Sequence, residues 1–358
     1  MQFLSLAWKV LAFTIWSHVR AWHYIPLAWW LSIRHGGLFR WFWQTVTGFR
    51  WLEKKLPTYE SHLPGSKIHF LHTGSGDAIL LESQDQFALI DAAEDSAYPA
   101  AQPWLAYPGW EHYVTDYVKR VANGKLDFVL GTHAHSDHIG GFDTLIVDPD
   151  IQIGRAYLKR YDNARKQSYE SSYWDNQACY TQMVEALHSR KIPLLQDFTG
   201  ESFRLGNFKL TIFNHEQRSS GDENDDSLGL LVECNGRRAF LAGDINNASG
   251  NENHLRKKIA LVDLLKAAHH GYDGSSTLAF ATGLRPKTVV FTNFSRKVYP
   301  TVKTRFMAVS NTKQMFATGT FGGVVAVFNA GEIDYYAIGE YAEAKAPQGY
   351  EPMEIATV

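Results

Sequence analysis

Residues 131–141 read GTHAHSDHIGG, and this run decides the fold. His133, His135, Asp137 and His138 fall within six residues, directly after the apolar run Phe128-Val129-Leu130 and before Gly140-Gly141. Imidazole nitrogens and carboxylate oxygens are the ligands that zinc and related divalent ions take. Neighbours this close converge on one point only where the chain turns, and the two glycines let such a turn form. A solvated histidine-rich loop is the plain alternative. It does not account for a buried strand delivering three histidines and an aspartate together, so the run is read as a metal-ligand motif.

Outward from the motif, Glu111–Ala122 has the spacing of an amphipathic helix leading into the strand at Phe128. Residues 67–71, 78–82 and 87–90 read as successive strands, with Gly74-Ser75-Gly76-Asp77 and Ser83-Gln84-Asp85 as turns. After the motif come a helix near 177–189, strands near 203–205, 209–213, 228–233 and 239–242, a helix near 253–258 and a last strand set from 288 to 336. Strand-rich halves with helices between them suit a layered α/β architecture, helices outside two packed sheets.

GTHAHSDHIGG resembles the His-x-His-x-Asp-His signature of the metallo-β-lactamase superfamily. HTGSGDAILLES, ALIDAAED, SLGLLVECNGRRAFLAGDI and DLLKAAHHGYDGSS resemble, in order and spacing, the hydrolase domain of the ComEC/Rec2 DNA-uptake proteins over roughly residues 68–335. The resemblance implies a metallo-β-lactamase fold, a four-layer αββα sandwich, over residues 66–340. It implies that His133 and His135 hold one metal, that Asp137 and His138 hold a second, and that Asp244 bridges them. By the same resemblance one of His269 or His270 would complete the second site; adjacent side chains at a strand end point apart, and the residues alone leave that choice open. Asp91 matches the aspartate that steadies metal-bound histidines, and Asp77 with Gly76 matches the turn below the site. The implied cofactors are one or two divalent ions, Zn or Mn, and the implied substrate is a phosphodiester, DNA being one such substrate. Lys266, Ser275 and Ser276 flank the last histidine pair as candidate phosphate contacts, with a solvated Lys266 the equal alternative.

The chain departs from the pattern twice. Many superfamily members place another histidine between the first motif and Asp244. Here His188 reads as a surface residue and His215 as either surface or site, so His133 and His135 lack an evident third ligand. Where the DNA-uptake family has a Tyr-Gly-His-Pro-like segment, this chain has Val298-Tyr299-Pro300, without the histidine.

The 358 residues, 45% hydrophobic and 20% charged, suffice for one large core or two modest ones. A net charge of −2 gives no global attraction to nucleic acid, so a polyanion would have to be met by local features. Cys179 and Cys234 stand far apart, which excludes a disulfide framework and a cysteine zinc site and leaves two buried thiols.

Residues 1–60 form a region of their own. They hold Trp8, Trp16, Trp22, Trp29, Trp30, Trp41, Trp43 and Trp51, carry Lys9, Arg20, Arg34, Arg40 and Arg50, and show no acid before Glu53. Gln2, Ser5, Lys9, Ser17 and Arg20 fall near one stripe, which predicts amphipathic helices interrupted around Pro26. The cation bias favours a membrane-interface anchor in residues 1–55 over packing on the rest of the protein. The longest uncharged run, 21–33, falls short of the roughly 20 residues a span needs. No cleavable signal peptide is evident, so the expected location is membrane-associated or cytoplasmic. Residues 341–358 read as a tail.

Three functional readings follow. In the first, a phosphodiesterase or nuclease uses a metal-activated water whose proton Asp137 accepts. Tyr157, Lys159, Arg160, Tyr161, Arg165 and Lys166 would line a strand-binding groove through stacking and charge, an ordinary solvated surface being the blander reading. In the second, the substrate is a small or lipid-linked ester such as a phosphocholine ester, which a membrane-seeking amino terminus favours. In the third, the chain is a non-catalytic membrane-associated scaffold, against which the survival of His133, His135, Asp137, His138 and Asp244 argues.

Overall fold

The computed structural model describes residues 55–216 and 221–339; the amphipathic helices expected before residue 55 and the tail lie outside them. Ser66–Leu71 (β1), Ala78–Ser83 (β2) and Gln86–Ala92 (β3) form an antiparallel meander. Lys125–Leu126 (β4), Phe128–Gly131 (β5), Gln152–Ile153 (β6), Ala156–Leu158 (β7) and Leu194–Leu195 (β8) follow. The second half supplies Ser202–Leu205 (β9), Phe208–Phe213 (β10), Gly229–Cys234 (β11), Arg237–Leu241 (β12), Leu264–Lys266 (β13), Thr288–Phe291 (β14) and Gln314–Ala317 (β15). Gly323–Phe328 (β16) and Ile333–Ala337 (β17) then return to the first sheet, giving the orders β17-β16-β1-β2-β3-β5-β7-β8 and β15-β14-β13-β12-β11-β10-β9, with β4 and β6 paired apart.

Period-two alternation assigns each strand residue to a layer. Ile68, Phe70, Ala88, Ile90, Phe128 and Leu130 point between the sheets, where they meet Leu210, Leu230, Val232, Leu241, Leu264 and Val290. Their neighbours Leu71, Leu89 and Val129 face the helices Glu111–Ala122, Phe142–Val147 and Asn176–Ser189. On the far side Phe240, Leu265, Val289 and Phe291 pack on Leu255, Ile259, Phe280, Leu284, Val302 and Phe306 from three further helices. Three apolar seams between four layers make the αββα sandwich. Each fully buried Phe contributes on the order of 1.5–3 kcal/mol by leaving water. Cys179 and Cys234 are buried free thiols, as expected.

The structure departs from the sequence reading in several places, among them the helices Phe142–Val147, Leu278–Leu284 and Thr318–Phe321. Pro300–Met307 is a helix inside what reads as a strand set; Pro300 occupies its first turn, where the missing N–H is harmless, and Val302 and Phe306 share its buried face. Gly140 and Gly141 have φ of −53° and −70°, so they serve no left-handed turn. What they provide is close approach: a Cβ on Gly141 would lie 2.4 Å from the Ala92 carbonyl oxygen, and one on Gly140 would lie 2.5 Å from that of Ser136.

In each sheet the pairing turns parallel toward the site: β3 with β5, and β12 with β13. The carboxyl ends of those four strands run into Asp91, Thr132-His133, Asp244 and His269-His270. The fold thus brings to one place residues that lie more than a hundred positions apart.

Candidate metal centre

The short helix Ser136–Ile139 turns the motif back under itself and places Asp137 and His138 beside His270. The Nε2 atoms of His138 and His270 are 3.1 Å apart. Asp244 Oδ2 stands 3.2 Å from the first and 3.1 Å from the second, and Asp137 Oδ2 lies 3.3 Å from His270 Nε2 and 3.9 Å from His138 Nε2. An ion bound tetrahedrally at 2.0–2.1 Å would hold its ligand atoms roughly 3.3 Å apart, so these four donors fit a divalent cation.

The opposite nitrogens are spoken for. His138 Nδ1 meets Asp91 Oδ2 at 2.7 Å, and Asp91 is fixed in turn by the Thr132 backbone N–H and hydroxyl, each donating at 2.7 Å. His270 Nδ1 meets the Thr292 hydroxyl at 3.0 Å, and that hydroxyl donates to Asp77 Oδ1 at 2.6 Å. Partners on Nδ1 select the tautomer and aim Nε2 into the cup. Donor atoms of Asp77, His138, Asp244 and His270 all lie within 4.8 Å of one another. Asp77, however, reaches the histidines only from the Nδ1 side, 3.8 Å from His138 and 3.3 Å from His270, so it buttresses the cup and Asp137 completes it.

Charge follows this geometry. Burial alone would lower His138, but Asp244, Asp137 and Asp91 outweigh it and hold the imidazole up at about 10. His270 is raised for the same reason, Asp244 being the largest influence against burial. Burial also acts to raise Asp244, yet His270, His138 and Lys266 keep it well below the ordinary carboxylate range. A cation-shaped demand therefore sits between ionised carboxylates, and metal uptake must displace protons from the imidazoles.

His269 and His270 take consecutive left-handed conformations, φ 50° and 51°, a strained arrangement for non-glycine residues that cluster at functional sites. The strain separates their fates. His270 is buried in the cup, whereas His269 keeps 30% of its side chain exposed, with Nε2 3.9 Å from Asp244 Oδ2. The geometry thus takes His270 inside and leaves His269 at the rim.

His133 Nε2 and His135 Nδ1 face each other at 3.1 Å, and the rings of His133 and His138 are 4.1 Å apart, so both pairs share one cup. The group joined to this pair is a carboxylate the sequence reading did not single out. Glu170, buried in the helix Ser168–Tyr173, meets His135 Nε2 at 3.0 Å and is held by the Asn176 side-chain amide at 3.2 Å. It thereby commits Nδ1 of His135 to the cup. His188 is exposed, and His215 lines a separate cleft of about 160 Å³ with Gly200, His254 and Lys258.

Other expected contacts are placed elsewhere. Lys266 is fully buried, its ammonium donating to the Gly243 carbonyl at 2.8 Å and paired with Asp77 at 2.5 Å and Asp244 at 3.3 Å, so it faces the interior and not a phosphate. Ser275 donates inward to the Ala268 and Tyr272 carbonyls, and Ser276 is likewise wholly enclosed. The expected groove also dissolves: Tyr157 stacks on Phe203, Tyr161 is buried, Lys159 donates to the Asn214 and Asp226 carbonyls, and Lys166 pairs with Glu223 and Asp226. Tyr299, where the family histidine is missing, stands 45% exposed against the Tyr272 ring.

A four-layer sandwich whose strand ends gather histidines and aspartates into one buried cup defines a metal-dependent hydrolase of the metallo-β-lactamase type. The family model for the beta-lactamase superfamily domain matches residues 89–292, more than half of the chain, and the chain belongs to that superfamily. ComE operon protein 3 of Bacillus subtilis (strain 168) is 22% identical over 230 residues, which cover 63% of this chain and 28% of that protein's length. Among solved structures, the metallo-beta-lactamase fold protein YhfI from Bacillus subtilis aligns with a TM-score of 0.45 and 11% identity, over 71% of this chain and 96% of its own. Human tRNase Z, short form, aligns with a TM-score of 0.38 and 14% identity, over 62% and 91%.

Proposed function

We propose that the chain is a phosphodiesterase of nuclease type, acting through a domain of residues 66–340. The observation that carries this reading is the convergence of His138 Nε2, His270 Nε2, Asp137 Oδ2 and Asp244 Oδ2 beside the His133–His135 pair, with Asp137 29% exposed at the open side. Divalent ions bound there would lower the pKa of a coordinated water to about 7 and polarise the oxygen under attack. Burial opposes ionisation of Asp137, but His138 and His270 keep its carboxylate charged, so it enters the reaction able to accept a proton. The motif series shared with DNA-uptake hydrolase domains favours a phosphodiester over a lactam.

The test is a turnover screen of the purified chain loaded with Mn or Zn. Hydrolysis of bis-p-nitrophenyl phosphate and of single-stranded DNA is expected. Turnover of neither under any metal would sink the reading, and turnover of a phosphocholine ester alone would transfer the site to lipid-linked esters.

Attachment to a membrane surface through residues 1–55 belongs with this reading, supported by eight tryptophans and five cations before any acid. Among the described residues no helix is long and apolar enough to cross a membrane. The full chain is expected to float with anionic liposomes and a chain lacking residues 1–55 to stay behind; equal recovery of both in the soluble fraction would reject the anchor.

A further inference from the structure

Beside the metal cup, on the helix that holds Glu170 and on the Pro103–Leu105 segment next to it, lies a group of rings facing solvent. Tyr169 is 57% exposed, Tyr173 38% and Trp104 43%. Tyr169 and Tyr173 stack at 5.1 Å with an interplanar angle of 14°, and Trp104 continues the stack on Tyr173 at 5.7 Å and 30°. Trp174 stands edge-on to Tyr173 at 4.9 Å and reaches the His135 ring at 5.9 Å. The array therefore runs without a break from a metal-facing histidine out to solvent.

We propose that Trp104, Tyr169, Tyr173 and Trp174 form a base-stacking subsite. The chain would then act on nucleic acid whose bases are free of a duplex, with a nucleobase near the scissile phosphodiester lying on these rings. The inference rests on the phosphodiesterase reading.

Three observations support it. Exposed aromatic rings gathered in one place lose the free energy of burial, and such patches mark binding surfaces. The rings are also set in advance, because the Trp104 indole N–H and the Gln102 amide both donate to the Tyr173 carbonyl at 3.0 Å, tying the loop at Pro103–Leu105 to the helix Ser168–Tyr173. Little ordering entropy remains to oppose an arriving ring. Finally, the helix fixes register with the chemistry: Glu170 points inward to His135 at 3.0 Å while Tyr169 and Tyr173 point outward. The rings carry hydroxyls, and Ser168 and Ser172 beside them are exposed, a rim that suits a polar heteroaromatic base better than an acyl chain. With a net charge of −2, the chain offers no broad attraction for a phosphate backbone, so stacking carries more of the recognition. A paired duplex keeps its base faces covered and cannot use the platform.

The experiment compares a fluorescein-labelled oligo(dT) with an abasic oligonucleotide of equal length and charge. Binding is read by anisotropy on the full chain carrying Asp137→Ala, so that it does not depend on turnover. Oligo(dT) is expected to bind about 5- to 150-fold tighter than the abasic strand, the range set by stacking of one base. Trp104→Ala and Tyr169→Ala combined should bring oligo(dT) close to the abasic value, and Trp104→Phe and Tyr169→Phe, which keep a ring, should retain most of the preference. Equal affinity for the two strands, or a combined alanine variant indistinguishable from its parent, overturns the subsite. Base preference without hydrolysis in the active chain would remove the phosphodiesterase reading and leave the subsite standing; hydrolysis without base preference would do the reverse.

Discussion

Asp137→Ala is expected to reduce phosphodiester turnover by at least about 10³-fold while leaving the fold intact. The size follows from two losses at one atom. Asp137 Oδ2, 3.3 Å from His270 Nε2, is both a donor to the cup and the carboxylate with an open face, and loss of a positioned proton acceptor alone removes about 10²–10⁴-fold. His135→Ala should also abolish turnover, because its Nδ1 pairs with His133 Nε2 at 3.1 Å on the other half of the cup. Glu170→Ala belongs in the same series as a test of position. The carboxylate meets only the outer nitrogen of His135, so its loss should weaken metal binding on the His133–His135 side of the cup by about 10–100-fold and spare the His138–His270 side. Metal stoichiometry by elemental analysis after dialysis reads this directly, and Glu170→Gln, which keeps an acceptor at that place, should recover part of the affinity. An Asp137→Ala protein retaining a tenth of the parent turnover would remove Asp137 from the chemistry; a Glu170→Ala protein with unchanged metal content would make Glu170 merely structural.

Much of the fold is legible in the sequence, and the reason is locality. Tyr113, Val114, Tyr117 and Val118 recur at helical spacing and are buried on one face of Glu111–Ala122. The alternation of Ile68, Phe70, Ala88 and Ile90 marks the seam between the sheets. The run from His133 to His138 is legible because its members are neighbours, and Asp244 and the last histidine pair because their motifs recur in order. The choice of His270 is not, since it depends on the left-handed pair His269-His270 ahead of Gly271, a backbone path that the residue types there leave open. Glu170 escapes for another reason: an acid in a short Ser- and Tyr-rich helix gives no local signal, and its role exists only once that helix lies against His135. The aromatic platform is hidden in the same way, being split between Trp104 and residues 169–174. Rings that read as a groove, Tyr157 and Tyr161, are taken by the core instead.

Lys266 is the residue whose sequence reading differs most from its place in the fold, and it yields the largest expected effect on stability. A lysine at a strand end is ordinarily solvated. Here it is wholly enclosed, and burial, which acts to lower its pKa, is outweighed by Asp77 and Asp244, so the ammonium stays charged. Lys266→Met keeps the length and removes the charge, leaving two buried carboxylates facing each other's space. Breaking a buried pair from one side costs about 3–5 kcal/mol, and a loss of that size is expected in urea unfolding at pH 7 with EDTA present. The difference should shrink when Zn or Mn is added, because Asp244 then has another cation beside it. It should also fade in acid. Asp77 and Asp244 both have folded pKa values held below their unfolded ones, against burial, by Lys266 together with His270 and His138. Stability drawn from such groups is present above the unfolded value near 3.8 and is lost as pH falls toward the folded values, so the gap between parent and variant should begin to narrow below about pH 4 and close only as pH approaches the folded values. A Lys266→Met protein with the parent's urea midpoint at pH 7 in EDTA would show that the two aspartates do not need this cation. In that case the metal cup would be held together by the His138 and His270 pairings alone.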